Sequence, residues 1–372
     1  MKNKFIYKNI FFYSSLQSLG NAEEYFVMHT EKLVVFVVMP RKQYDASLIR
    51  LYKKGKLVEE KSIKLSKNVF LYHFLWYVHY LFFLFKYFTK KEKFIVITFH
   101  PISFFGMTLQ KIVRNIEFVF WDGDYFPPVN LSLILFEKVK KHYNSKIKYA
   151  VYQSDIMNEK MNGKVISNFF RKTVMWGVLP KNIKRKSDKN NFTILFVGAI
   201  KDSQGLEFFF EFLKTHKDYS IKIIGAGEDK LFLKYKKIIK DNKIEKQVYF
   251  PNRFFSDNEL TEISRTCQVG IALYDIGPTS GIYYTDPGKV KTYAALGLPI
   301  IMSDVSAIVP YVKKFGCGIV IKINNEELSN ALTEMKENYE RYLSGLAKFN
   351  KHFYYETYYN KAFRFLEKIW LV

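Results

Sequence analysis

The sequence predicts an α/β protein made of two doubly wound parallel-sheet domains, each Rossmann-like in layout. Three observations predict it. Short apolar runs rich in Val, Ile and Phe alternate with longer amphipathic stretches, which is the rhythm of parallel β-α-β units. The chain has 372 residues, enough for about two domains of ordinary size. The polar, basic run that starts at Pro180 (PKNIKRKSDKNN) separates the two halves and reads as a linker over 181–191.

In the first half, residues 9–13 read as a strand, Gly20-Asn21 as a turn, 22–32 as a helix and 33–39 as a second strand. Residues 94–99, 117–121, 150–153 and 173–175 read as further strands. Between them, 69–88 (VFLYHFLWYVHYLFFLFKYF) has no acidic residue and one strong charge, Lys86. Its uninterrupted part ends at Phe85, at the short limit of the roughly 20 residues that span a bilayer. The first expectation is a buried helix, the second a helix in the membrane interface, the third a span.

The second half is more regular. Strands are expected at 192–198, 219–224, 247–250, 268–274, 298–302 and 318–321, and helices at about 205–216, 228–241, 256–266, 286–296 and 306–315. Asp286, an expected N-cap, precedes Pro287 at the expected first helical position, and Gly297 with Pro299 ends the helix.

Lys and Arg number 58 and Asp and Glu 35, a net charge of 58 − 35 = +23 that favours anionic partners: nucleic acid, anionic lipid or phosphorylated substrates. The lysines are scattered, so plain solvated faces are an equal reading, and no recognition motif supports nucleic acid. Cys267 and Cys317 make neither a disulfide framework nor a metal-ligand spacing, which suits a reducing compartment. Lys8 and Asn9 interrupt the N-terminal apolar run, unlike a signal peptide.

The run YYTDPGKVKTYAALGLPII over 283–301 carries the most information. A helix start offers unpaired N–H groups and a positive dipole end, and Lys289 adds charge in its first turn, so a phosphate is the natural ligand. The run resembles the donor-binding segment of glycosyltransferases of GT-B architecture, whose usual form is roughly PGKL-x-EY-x-A-x-G-x-PVI, and in particular the retaining family-4-type (group 1) enzymes. The resemblance implies two Rossmann-like domains facing a central cleft: an acceptor domain at 1–180, a donor domain at 192–350, and a helical segment at 351–372 that packs back on the first. It implies a nucleotide-sugar donor as substrate, with no bound metal or other cofactor.

The resemblance also distributes roles. Gly288 and Lys289 would meet the donor diphosphate, and Thr292 a ribose hydroxyl. Tyr274, Thr279 and Ser280, in the loop after a strand end, would face sugar or phosphate. Gly198 and Lys201 lie in a segment similar to the family's VGR-L-xxx-KG, where Ala199 and Gln204 replace its two cations. Gly225 and Gly227 match its G-x-G turn, and Arg253 follows the next strand. In the first half, Gly20 and Asn21 form the acceptor or phosphate turn, and Asp122, Asp124 and His100 are the catalytic candidates for acceptor positioning or general base work. The family's paired glutamates fall near Tyr284 and on Thr292, neither of them acidic.

The function expected is sugar transfer from a nucleotide sugar to a glycan or lipid-linked acceptor in cell-surface polysaccharide assembly. The protein is expected to be cytoplasmic and peripheral on the anionic inner face of the membrane. A non-catalytic GT-B-like partner subunit or binding protein is the alternative, and a sugar-nucleotide epimerase the next.

Overall fold

The apolar runs pair as parallel strands, because helices on both faces of a sheet leave its strands nowhere to face but the core. The computed structural model describes residues 5–14, 19–38, 46–64, 66, 68–123, 125, 127–128, 130–162, 169–185, 192–274 and 280–371. The chain divides into two units, one of residues 1–177 with 355–372 and one of 178–354.

The first unit opens with β1 (Tyr7–Ser14), α1 (Ala22–His29) and β2 (Thr30–Val37). A hairpin follows, β3 (Ala46–Lys53) and β4 (Lys56–Lys64), then α2 (Val69–Tyr87), β5 (Phe94–Thr98), α3 (Met107–Val113) and β6 (Ile116–Asp122). Next come α4 (Leu131–Asn144), β7 (Tyr149–Tyr152), α5 (Asp155–Asn162) and β8 (Phe170–Thr173). The sheet order is β4-β3-β2-β1-β5-β6-β7-β8. Its chain direction switches between β1 and β5, the place where open α/β sheets bind ligands. Among the described strands of this sheet the antiparallel pairs are β2–β3 and β3–β4, and the sequence reading missed the hairpin that makes them. Its turn is Lys54-Gly55, at φ 48° and 76°, a left-handed pair suited to a two-residue hairpin loop.

The aromatic composition follows from the two faces of β1. Phe11 and Tyr13 point one way, with the Tyr80 ring of α2 5.6 Å and 5.3 Å from theirs, while Phe12 points the other way, 5.3 Å from Phe26 of α1. The 69–88 segment is therefore a helix with one face in the core. No helix among the described residues is long and apolar enough to cross a membrane.

The second unit contains β9 (Phe192–Val197), α6 (Leu206–Thr215), β10 (Tyr219–Ile224), α7 (Asp229–Asp241), β11 (Val248–Tyr249) and α8 (Asp257–Ser264). It continues with β12 (Val269–Ala272), α9 (Gly288–Ala295), β13 (Ile300–Ser303), α10 (Val309–Phe315), β14 (Gly318–Ile321), α11 (Asn325–Glu337) and α12 (Tyr339–Phe353). The six strands are parallel in the order β11-β10-β9-β12-β13-β14, with the switch between β9 and β12. Residues 181–185, read as the start of a linker, lie on this unit: Lys181 N–H donates to Ala295 O (2.7 Å) and Arg185 donates to Ser264 O and Cys267 O (2.6 and 2.9 Å). The remainder of the linker reading, 186–191, lies outside the described residues.

The C-terminal helices α13 (Tyr355–Phe363) and α14 (Phe365–Leu371) belong to the first unit. Phe363 packs 5.2 Å from Phe26 and 5.0 Å from Trp121.

Candidate functional site

In the second unit three strand ends are laced into one platform. Gly198 N–H donates to Ile224 O (3.0 Å), Ile200 N–H to Ala226 O (3.1 Å), and Gly227 N–H to the Asn252 side chain (2.9 Å). The lacing needs glycine: a Cβ on Gly225, at φ 155°, would lie 2.0 Å from Gly198 O, and one on Gly227 would lie 3.0 Å from Ile200 Cβ. Gly198, at φ 122°, faces Lys289 at ordinary contact distance, 3.7 Å from a notional Cβ to Cε. All of this surrounds the β9/β12 switch, where Tyr293 is wedged. Its hydroxyl donates to Ile271 O of β12 (2.7 Å) and accepts from Val197 N–H of β9 (3.0 Å).

Helix α9 starts one residue later than expected, at Gly288 with Pro287 as its cap, and Asp286 is not the N-cap. The Asp286 carboxylate instead turns inward to Lys291 Nζ at 3.2 Å, both side chains fully buried. Burial pushes the Lys291 ammonium down to about 8 against the opposing pull of Asp286. This pairing removes the negative charge that an N-cap aspartate would have set beside an anion. The first turn of α9 carries no acidic residue. Its far end is anchored by Asn350 on Ala294 O (2.8 Å), by Arg185 on Leu296 O and by Gly297, left-handed at φ 70° as expected.

Lys289 is the centre of the site. Its Nζ donates to Gln204 Oε1 at 2.7 Å, lies 4.0 Å from the centre of the Phe196 ring and 4.9 Å from that of Tyr274. Burial, and then the neighbouring charge of Lys201, push its pKa down to about 7. Two lysines and a helix N-terminus thus converge on glycine turns with no carboxylate bonded to Lys289, an arrangement that a diphosphate would stabilise.

The remaining donor-side candidates have more modest placements. Tyr274 is buried, its ring a wall under Lys289 and its backbone tied to Ser303 Oγ (N–H donating at 2.8 Å). The Ser280 hydroxyl accepts from Ile282 N–H, capping a short 3-10 turn. The Thr292 hydroxyl donates to Gly288 O (3.0 Å) in the first turn of α9. Arg253 adjoins Gly225 through its backbone, but its guanidinium lies on Glu259 (2.7 Å) and over Phe255 (3.7 Å). Thr279 lies outside the described residues.

In the first unit the expected acceptor residues are drawn into structural duties. Gly20, at φ 58°, lacks a Cβ because one would meet Trp176 Cβ at 2.7 Å and the Tyr359 hydroxyl at 2.9 Å. Gly20 O accepts from that hydroxyl (2.8 Å), so packing against α13 accounts for the glycine without a ligand. Asn21 is left-handed at φ 58° and its side chain makes no cap bond. The first turn of α1 also carries Glu23 and Glu24, and Glu23 is paired with Arg50 at 3.1 Å. His100 Nδ1 accepts from Ile102 N–H (3.2 Å) and its ring lies 4.3 Å from Trp76. Burial pushes its pKa down to about 3, so at neutral pH the ring is uncharged, and its Nδ1 serves as a cap. Asp122 is buried with Lys140 Nζ 3.4 Å away, and Lys140 also meets Glu137 at 2.9 Å. Its carboxylate is thus held against a buried lysine at the end of β6. Asp124 lies outside the described residues.

Comparison with known proteins decides the architecture. The family model described as Glucosyltransferase 3-like, C-terminal domain, matches residues 210–364. Among solved structures, sucrose-phosphate synthase from Thermosynechococcus elongatus superposes with TM-score 0.68 at 11% identity, covering 98% of this chain and 99% of that one. The fold is that of the GT-B glycosyltransferases. A trehalose-6-phosphate protein from E. coli, bound with UDP-2-fluoro glucose, matches with TM-score 0.55 at 14% identity over 74% of each chain. S. aureus TarM, in complex with fondaparinux, alpha-GlcNAc-glycerol and UDP, matches with TM-score 0.57 at 12% identity over 86% of this chain and 74% of that one. No curated protein matches the sequence.

Within the GT-B frame, sequence reasoning missed three residues. Gln204 reads in sequence as a lost cation, but in space it is the acceptor that holds Lys289. Lys291 neutralises Asp286, and a lysine five residues on from an aspartate gives no helix-face signal to find it by. Tyr293 stands where the family pattern has Tyr, and its bridge across the switch explains why an aromatic with a hydroxyl fits there. Among the described residues no cluster of three His, Cys, Asp or Glu side chains is placed to hold a metal ion.

Proposed function

We propose that the chain is a glycosyltransferase that binds the diphosphate of a nucleotide sugar at the start of α9 and transfers the sugar to a glycan or lipid-linked acceptor in cell-surface polysaccharide assembly. One observation carries the reading: Lys289, low in pKa and held by Gln204, stands between the first turn of α9 and the Gly198 turn with Lys201 nearby. As the bond from the sugar to the diphosphate breaks, negative charge grows on the leaving oxygen. Pre-placed N–H groups, the helix dipole and a lysine stabilise that charge without reorganising. The UDP-bound relatives of the same fold support a uridine nucleotide as the first donor to try.

The test is thermal stabilisation by a panel of nucleoside diphosphates and nucleotide sugars, in the native chain and in Lys289→Ala, since a ligand that binds the folded state raises its melting point. A shift with one nucleotide, lost in the variant, is the expected result. No shift with any of them would sink the reading. A non-catalytic partner subunit that binds nucleotide weakly or not at all is the second reading, favoured by the ion-paired Asp122. It predicts no shift with any nucleotide.

A further inference from the structure

One layer of the first unit has an outward face unlike a surface made for water. Helices α2, α3, α4 and α5 all belong to crossovers running in the same direction along the sheet, from β4 towards β8, and right-handed crossovers put such helices on one face, with α5 at the β8 edge. Side-chain contacts join α2, α3 and α4: the Tyr77 hydroxyl of α2 donates to Phe105 O just before α3 (2.7 Å), the Arg114 guanidinium lies 4.8 Å from the Phe85 ring, and the Phe104 ring lies 5.7 Å from that of Tyr143 on α4.

The outward face of this layer is apolar on α2, α3 and α4. On α2, Leu71, Phe74, Val78, Phe82 and Phe85 recur at spacings of three and four, opposite the buried Trp76, Tyr80 and Leu84. On α3, Leu109 and Ile112 are 64% and 70% exposed, and on α4 Leu131, Leu135 and Val139 follow one another at four-residue steps. Scattered exposed apolar residues are ordinary, but a continuous sheet of them marks a contact surface.

The charges say what the contact is. The three helices hold one acidic residue, Glu137, and it is buried against Lys140 at 2.9 Å. The exposed charges are basic: Lys86, Lys111, Lys138 and Lys141 on the helices, with Lys90 and Lys91 just beyond α2. Lys86 and Lys111 also reach Glu59 and Glu117 on neighbouring strands, at 3.2 Å each. An apolar, aromatic face on α2, α3 and α4, rimmed by lysine and with the layer's exposed carboxylates, Asp155 and Glu159, confined to the edge helix α5, matches the boundary between acyl chains and anionic headgroups.

We propose that the α2–α3–α4 layer docks on an anionic lipid bilayer, with Phe74, Phe82, Leu109 and Ile112 entering the headgroup boundary and the lysines meeting lipid phosphates. The helices lie in the membrane plane, with long lysine stems reaching past the apolar face. This goes beyond the donor-site reading and does not rest on it.

The experiment is co-sedimentation of the full chain with vesicles of phosphatidylcholine alone or with about a third phosphatidylglycerol. Native protein is expected to bind the phosphatidylglycerol vesicles, less so as salt rises. The double variants Phe74→Ser with Phe82→Ser and Leu109→Ser with Ile112→Ser are expected to bind at least about tenfold more weakly. Their melting points should stay at the native value, because these side chains are exposed. A Leu109→Trp variant should lose fluorescence on vesicles with brominated acyl chains. The proposal is overturned if native protein ignores phosphatidylglycerol vesicles, or if both double variants bind as native does. It is equally overturned if the native chain self-associates in solution, Phe74→Ser with Phe82→Ser abolishes that, and vesicles have no effect; a second copy would then cover the face.

Discussion

Lys289 Nζ lies 2.7 Å from Gln204 Oε1, so the lysine at the start of α9 has a neutral resting partner. The neutral acceptor leaves the charge uncancelled, and burial then lowers the pKa. Replacing Gln204 by lysine should set two cations together. Gln204→Lys is expected to destabilise the free protein by about 1–3 kcal/mol and to bind nucleoside diphosphate more tightly than the native chain. Thermal melts with and without UDP check both halves.

The low pKa makes stability depend on pH in a definite direction. In the folded chain Lys289 loses its proton at about 7, against an ordinary 10.5. Between these values the unfolded chain binds more protons, so this group makes stability rise with pH from about 7 to about 10 and leaves it flat below 7. A bound diphosphate would restore the proton. Binding at pH 8 should therefore take up close to one proton and weaken as pH rises. Titration calorimetry in two buffers of different ionisation enthalpy measures the uptake, which should vanish in Lys289→Ala.

The Asp286–Lys291 pair is buried on both sides. Asp286→Asn leaves a buried ammonium without its counter-charge and should cost about 3–5 kcal/mol. Asp286→Leu combined with Lys291→Met should recover most of that loss. Chemical denaturation followed by a reporter in the second unit distinguishes the two outcomes.

Gly20 separates packing from ligand binding. Gly20→Ala places a Cβ 2.7 Å from Trp176 Cβ and forces an alanine to φ 58°. The expected loss is about 2 kcal/mol or more of stability in the first unit. Nucleotide affinity, if the donor site is at α9 as proposed, should be unchanged; a fall in affinity without a fall in stability would return Gly20 to the ligand.

The second unit was the more legible half. Strands such as β9 and β13 are buried on both faces and so write themselves as unbroken apolar runs. The hairpin was hidden because β4, KLVEEKSIK, is an exposed edge with charges at most positions, where burial imposes no pattern. Local chemistry misled at Asp286: a good cap by type, it was claimed by Lys291 in the buried interior. The reason for Gly20 lies 339 residues away at Tyr359, beyond the reach of any local rule. Lys289 was visible because a helix start and a cation adjoin in sequence. Its holder, Gln204, was not, because the two come together only through the switch between β9 and β12.

The glutamates at the head of α1 bear on a problem that the net charge of +23 creates. A protein so basic gathers phosphates over much of its surface, and each of its units offers a helix start at the mouth of a sheet. At the first of these Glu23 is already taken by Arg50, at 3.1 and 3.2 Å, while the first turn of α9 has no acidic residue and Lys289 rests on the neutral amide of Gln204. The two starts differ in what their charges are left to do: at α1 cation and carboxylate satisfy each other, whereas at α9 an arriving phosphate would meet a lysine whose partner it can outbid.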